Sequence, residues 1–249
     1  FFFVFLYNVV GGFMQRYFAQ KKEGNTFLLK EEDYYHIFRV MRGKELDEIE
    51  VVFENCVYLC VLKQVSTTPK IEIVRTLEVG EKEREMILCI PYLKETKLDF
   101  ILQKGTEMGA TKFIFYPAKY GVVKIEAAKL PKKIERWSRI VKEASEQSKR
   151  TIIPSITTIS HLEQLSEQKG VKLVCSTREK QKTLKLFLQS HLNCDTLVVV
   201  IGPEGGLDQG EEEQLNRMGF SSVSLGKRIL RVESVPLFVL SCLNYEFME

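Results

Sequence analysis

An α/β fold preceded by a small β-rich module is predicted by three observations. Apolar runs such as Met86–Ile90 and Leu197–Ile201 are continuous rather than alternating, as expected of strands covered on both faces. Two glycine-bearing turns, Gly202-Pro203-Glu204-Gly205-Gly206 and Leu225-Gly226, follow such runs and precede helix-like segments, where open α/β sheets place their ligands. Residues 14–80 instead carry closely spaced β-branched and aromatic runs, the rhythm of a small barrel.

The chain of 249 residues, 45% hydrophobic and 28% charged, has the composition of an ordinary soluble globular protein with one large domain or two modest ones. Its six cysteines are scattered without a C-x-x-C pair, which reads as reduced thiols in a cytoplasmic protein, with no metal site expected. Residues 1–13 are apolar but lack a basic leader and are too short to span a bilayer. They read as an extension ahead of a more natural start at Met14. No other run reaches transmembrane length, so no membrane partner is expected.

The net charge of +3 is unevenly spread. Residues 94–150 hold 14 Lys and Arg against 7 Asp and Glu, leaving 22 against 26 elsewhere. A solvated helix face accounts for such a cluster, and so does binding to a polyanion.

In the first module, Thr26–Leu29, Ile49–Phe53, Val57–Leu62 and Lys70–Val74 are strand-like, with one helix over Glu32–Met41. That helix carries His36, Arg39 and Arg42; His36 fits a surface or satisfied core residue better than a catalyst. Charge gathers over Glu78–Glu85, which sets the domain boundary at residues 80 and 81. After it, Met86–Ile90, a helix with Leu98, Ile101, Leu102, Gly105 and Met108 on one face, and Lys112–Tyr116 make a βαβ unit. Pro131 suits the first turn of the next helix. There Ile134, Trp137, Ile140, Val141 and Ala144 form the buried stripe, and Lys132, Lys133, Arg136, Arg139, Lys142 and Glu143 lie outside. Gln147 and Arg150, at its far end, suit a phosphate or base edge, or in the case of Arg150 simply the helix dipole.

Val171–Cys175 and Leu197–Ile201 are further buried strands, and Asp208 with Glu211 is a capping box that starts a helix. Ser222–Leu225 is a last short strand, and Glu233–Glu246 an apolar last helix suited to burial against a partner subunit.

Four motifs in order then carry a resemblance: Lys104-x-Thr106-Glu107-Met108-Gly109, Glu146-Gln147-Ser148-x-Arg150, Gly202-Pro203-Glu204-Gly205-Gly206, and Leu225-Gly226-x-Arg228-Ile229-Leu230-Arg231-x-Glu233. Together they resemble the ribosomal RNA small subunit methyltransferase E family, a branch of the SPOUT methyltransferases, over essentially residues 14–246. The resemblance implies a PUA-like RNA-binding barrel followed by an α/β SPOUT domain, residues 81–249, whose C-terminal segment threads a trefoil knot. It implies a homodimer that transfers a methyl group from S-adenosylmethionine to N3 of a uridine in 16S rRNA, free or in the small ribosomal subunit. A ribose 2′-O methyltransferase of the same superfamily and a non-catalytic ribosome-assembly protein are the alternatives.

By the same resemblance the cofactor lies between three loops: Cys175, Ser176 and Thr177; Ile201, Gly202, Pro203, Gly205 and Gly206; and Leu225, Gly226, Ile229 and Leu230. Glycine turns admit close approach of backbone groups to a nucleoside. Uridine N3 carries a proton at neutral pH, so transfer needs that proton removed or the developing anion stabilised. Arg231 is the candidate electrostatic partner, and Glu233 or Glu204 the proton acceptor or orienter; a helix-start carboxylate favoured by the dipole also describes Glu233. Arg16, Arg39, Arg42, Lys104, Lys119, Gln147, Arg150 and Arg228 are the candidate RNA contacts. Two departures stand out: Ser234-Val235 replaces the family's Thr-Ala, and Lys119-Tyr120-Gly121 replaces Glu-Arg-Ser or Glu-Arg-Cys, removing an arginine.

Overall fold

The computed structural model describes residues 14–63, 69–80, 84–191 and 193–247; the extension read at residues 1–13 lies outside them. The chain forms two compact units, one of Phe1–Lys82 with Ser145–Ile152, the other of Glu83–Ala144 with Ile153–Glu249.

In the first unit, β1 (Arg16–Phe18), β2 (Lys21–Glu23), β3 (Thr26–Leu28), β4 (Glu48–Phe53), β5 (Cys56–Lys63) and β6 (Lys70–Val79) make a sheet in the order β1-β4-β5-β6-β3-β2. All pairings are antiparallel except β1 with β4. The tight connection from β4 to β5 uses Glu54 and Asn55, both at positive φ (49° and 59°), as a two-residue hairpin turn of the twist-compatible type requires. Between β3 and β4 the expected helix is α1 (Glu31–Tyr35), which runs on as a wider π-turn over His36–Val40 and buries Ile37. Tyr17, Phe27, Leu29, Ile49, Val51, Leu62 and Ile71 join Ile37 in the core. Strands β1 and β2, three residues each, were not expected.

In the second unit, β7 (Glu85–Pro91), α2 (Glu95–Glu107), β8 (Lys112–Tyr116), α3 (Leu130–Gln147, whose last three residues count with the first unit) and β9 (Ser155–Thr158) come first. β10 (Val171–Cys175), α4 (Leu184–Gln189), β11 (Thr196–Ile201), α5 (Gln209–Arg217), β12 (Ser221–Val223) and α6 (Ser234–Phe247) follow. The strands form a wholly parallel sheet in the order β12-β10-β11-β7-β8-β9, so the α/β expectation holds. Met86, Leu88 and Ile90 of β7 face a core shared with α2, α3, α4 and α6. Ile87 and Cys89 face the other side, with Leu215 of α5 and the short 3-10 segment at Leu162 and Leu165. Coverage of both faces is why these strands read as unbroken apolar runs. Trp137, 1% exposed, stacks obliquely on Phe115 with ring centroids 4.4 Å apart; truncating it to alanine would cost about 3–5 kcal/mol.

One expectation on α3 fails. Lys142, placed outside by the amphipathic pattern, is buried, as are Val141, Ala144, Ser145 and Glu146 around it. Five of the six residues from Val141 to Glu146 are buried, so a one-stripe rule no longer describes this part of the helix.

Candidate functional site

Strands β12, β10 and β11 are neighbours, so their carboxyl ends bring three loops together. Between those loops lies a cleft of about 420 Å³, within the range of small-molecule sites. Tyr116 Oη braces its floor by donating to the Ile201 carbonyl at 2.7 Å. Eleven of the twelve residues expected to hold a cofactor line the cleft: Cys175, Ser176, Thr177, Ile201, Gly202, Pro203, Gly206, Leu225, Gly226, Ile229 and Leu230. Gly205 does not. It faces Tyr120, whose Cβ would lie 3.3 Å from a Cβ at that position, so its smallness serves the packing of that neighbour.

The glycines that matter most for the cleft are Gly206 and Gly226, at φ +75° and +112°, values that disfavour any side chain. A Cβ on Gly206 would point across the opening toward Thr177 Oγ1, 4.0 Å away. Ile201, Leu225, Leu230 and Val235 provide apolar wall. Burial pushes the Cys175 thiol up to about 12, so it stays neutral and unreactive beside any electrophile in the cleft.

The loops are tied together by a residue the sequence did not single out. Arg178 donates from Nη1 to Glu212 Oε2 at 2.9 Å and from Nη2 to the Leu207 carbonyl at 2.8 Å, while its backbone N–H donates to Ser176 Oγ at 3.1 Å. Buried Glu212 also accepts from Ser222 Oγ at 2.8 Å. One guanidinium thus joins the first loop, the end of the glycine turn and α5. Its signal was absent because the partners are distant in sequence.

Lys97 was likewise not singled out. It reaches from the first turn of α2 into the cleft wall, where its ammonium lies 2.9 Å from Glu204 Oε1 and 3.3 Å from Glu233 Oε2. Burial opposes the charged form of Glu204, but the Lys97 hydrogen bond, a backbone hydrogen bond and the charges of Lys97 and Lys94 outweigh it. They hold this carboxyl below its ordinary range. The same contact, led by the Glu204 hydrogen bond, raises Lys97.

Arg231 and Arg228 are exposed at the cleft, together with Lys227. None of the three side chains makes a hydrogen bond or ion pair with a described residue, unlike Lys97 and Arg178.

The expected RNA contacts fare unequally. Arg39 and Arg42 are exposed on and just after the π-turn, and Gln147 is exposed at the end of α3. Arg16 is a correction: it is 5% exposed, pairs with Glu50 at 2.7 Å and donates to the Lys149 and Arg150 carbonyls. That position fixes the 145–152 segment within the first unit and leaves no guanidinium face for a phosphate. Arg150 is buried too. Lys104 pairs with Glu107 at 2.8 Å.

Lys119 and Tyr120, at the departure from the family pattern, both dock on Asp208, the N-cap of α5. Lys119 Nζ lies 3.0 Å from Asp208 Oδ1, and Tyr120 Oη donates to Oδ2 at 2.9 Å. These two hydrogen bonds, Lys119 first, hold the Asp208 carboxyl below its ordinary range.

Among the described residues no cluster of His, Cys, Asp and Glu has the makings of a metal site, and no helix is long and apolar enough to cross a membrane.

A family model described as an RNA methyltransferase domain matches residues 80–244. The ribosomal RNA small subunit methyltransferase E of Bacillus subtilis is 36% identical, over 94% of this chain and 97% of its own. That of Aquifex aeolicus is 30% identical over 92% and 99%. The crystal structure of the Neisseria gonorrhoeae protein of that name, bound to S-adenosylmethionine, superposes with a TM-score of 0.80 at 25% identity, covering 93% of this chain and 97% of that one. Likeness of this degree along nearly the whole length, added to the domain match, makes the chain a member of the ribosomal RNA small subunit methyltransferase E family.

Proposed function

We propose that the protein is an S-adenosylmethionine-dependent methyltransferase that modifies N3 of a uridine in 16S rRNA. The observation that carries the reading is the presence, in one cleft, of the cation Arg231, which has no partner among the described residues, and of a buried carboxylate oxygen, Glu233 Oε2, whose neighbour is the Lys97 ammonium at 3.3 Å. An N–H acid losing its proton needs these two groups: an acceptor for the proton and a positive charge for the anion left behind.

The cleft suits the cofactor. Its glycine turns leave backbone groups open at close range, and Gly206 in particular has no side chain to fill the gap toward Thr177. Leu225 and Leu230 give an apolar wall for a purine, and relatives with this name include one solved with the cofactor bound. The bound cofactor supplies an electrophilic methyl group on sulfonium sulfur. The chain's own part is alignment of the acceptor, which is most of what a direct displacement requires. Arg231 steadies the uridine as charge grows on its ring, and Glu233 takes the N3 proton. N3 lies on the pairing edge of the base, so the target enters unpaired or flipped out.

Exposed Arg39, Arg42 and Arg228 then contact the surrounding phosphates. The first unit serves as the PUA-like barrel of the family, the carboxyl-terminal segment threads the knot, and α6, with Phe238 and Tyr245 exposed, packs against a second copy in a homodimer.

Incubation of the protein with labelled S-adenosylmethionine and 16S rRNA or small subunits from cells lacking the gene, followed by nucleoside mass spectrometry, tests this. The expected product is 3-methyluridine. Methyl on a ribose oxygen would replace the reading with the 2′-O alternative, and a folded protein that binds no cofactor in calorimetry would leave the ribosome-assembly role.

A further inference from the structure

Glu204 and Glu233 belong to different elements, the loop after β11 and the residue before α6, yet one ammonium serves both. Lys97 contacts them unequally. Toward Glu204 the geometry is a hydrogen bond of 2.9 Å. Toward Glu233 it is an ion pair of 3.3 Å whose oxygen, though buried, has no hydrogen-bond partner among the described residues. An open buried acceptor is unfavourable, and the neighbouring Lys97 charge offsets that cost. The free lone pair is therefore available to a donor that arrives in the cleft, while the facing lone pair of Glu204 is already taken. Arg231 lines the same cleft and Lys94 acts on Glu204 from the residue before α2; neither makes a hydrogen bond to Glu233.

We propose that Lys97 is a positioning residue that divides the work between the two glutamates. It engages Glu204 by a hydrogen bond of 2.9 Å as a spectator and holds Glu233, at the longer distance of 3.3 Å, as the acceptor of the uridine N3 proton. The proposal rests on the function given above. In the step it serves, the N3–H bond breaks and its proton goes to Glu233 Oε2. The nitrogen pair forms the bond to the methyl carbon, the carbon–sulfur pair stays on sulfur as the neutral thioether of S-adenosylhomocysteine, and Glu233 later returns its proton to water. Lys97 exchanges no atom.

The test is single-turnover methyl transfer to 16S rRNA by Lys97→Met, Lys97→Arg, Glu204→Gln, Glu233→Gln and the double variant K97M/E233Q, with cofactor affinity measured by calorimetry. Glu233→Gln should lower the rate about 100-fold or more, the size of a lost general base. Glu204→Gln should lower it no more than about tenfold, and Lys97→Met roughly 10- to 30-fold, with Lys97→Arg restoring most of that loss. Because Lys97 acts through Glu233, the double variant should be no slower than E233Q alone, a non-additivity that general damage to the fold does not produce. Cofactor dissociation constants should stay within about threefold, since Lys97 is assigned to the acceptor side. A crystal structure of K97M should show the Glu233 carboxylate turned from its place. A larger loss in E204Q than in E233Q, or losses in K97M and E233Q that multiply, would overturn the proposal. An active wild type with an unimpaired K97M would bring down the role of Lys97 alone. A wild type that binds cofactor but methylates no uridine N3 would bring down the function and this role with it.

Discussion

Two stretches of the molecule carry concentrated positive charge, and they behave differently. Residues 94–150 hold fourteen cations, but more than half are ion-paired: Lys133 with Glu95, Arg136 with Asp99, Lys97 with Glu204 and Glu233, Lys119 with Asp208, Lys149 with Glu50, Lys129 with Glu126, and Lys104 and Arg139 with neighbours on their own helices. Several partners lie outside the stretch, so the local field is weaker than its residue count implies. Residues 227–231 hold only three cations, Lys227, Arg228 and Arg231, none with a partner among the described residues. Charge counted along a sequence is thus a poor guide to charge available to a ligand. Cations of the long stretch mostly hold helices and loops in place, and those of the short one are left to bind.

The comparison is broken most directly at Arg231. Arg231→Ala should lower methyl transfer about 10²- to 10³-fold, the effect of removing one group aimed at developing charge, while the cofactor dissociation constant stays within about threefold. Equal loss of rate and cofactor affinity would show that Arg231 belongs to the paired, structural class after all.

Within the first unit the same contrast sets Arg16 against Arg42. Arg16→Ala leaves Glu50 with Lys149 as its remaining cation and removes the donations to the Lys149 and Arg150 carbonyls, so it should destabilise the protein by about 1–3 kcal/mol in urea unfolding. Arg42→Ala, at an exposed position, should change stability by less than about 0.5 kcal/mol and instead reduce the salt dependence of RNA binding by about one unit of slope. A stable R16A with weakened RNA binding would restore Arg16 to the contacts first expected of it.

Arg178→Ala should weaken cofactor binding roughly tenfold, because the two guanidinium hydrogen bonds that tie the cleft's loops together, to Glu212 and to the Leu207 carbonyl, are lost, and charged hydrogen bonds are worth about 1.5–3 kcal/mol each before the loops relax. Its rate at saturating cofactor should change little, which calorimetry and single-turnover assays separate.

The sequence made the cleft legible because its loops are short, glycine-marked and directly follow buried strands. Asp208 and Glu211 form the expected capping box, and the βαβ unit of β7, α2 and β8 is parallel as expected. What escaped was whatever depends on partners far apart in the chain. Arg178 with Glu212, Lys97 with Glu204 and Glu233, and Arg16 with Glu50 are each joined only by the fold. Gly205 escaped for a related reason: in the motif it looks like its neighbours, and only the approach of Tyr120 shows its different duty. Strand β9 and helix α4 are too short to show a period.

The smallest effect bears on whether the paired cations hold their elements through charge. Glu204 has its carboxyl held below the ordinary value near 4.5, burial opposing and the Lys97 hydrogen bond leading the groups that lower it. A group with a depressed folded value contributes stability that is fully present above its unfolded value and is lost as the pH falls through the folded one. The Lys97–Glu204 contact is partly exposed, so its contribution should be under about 1 kcal/mol after screening by solvent. Urea midpoints of the wild type and Lys97→Met should therefore differ slightly at pH 7 and keep that difference down to about pH 4.5, then converge as Glu204 protonates in both. A gap that stays constant to pH 3 would mean that Lys97 supports the cleft wall by the packing of its methylene stem, and the contrast between paired and partnerless cations would then lose its electrostatic basis at this residue.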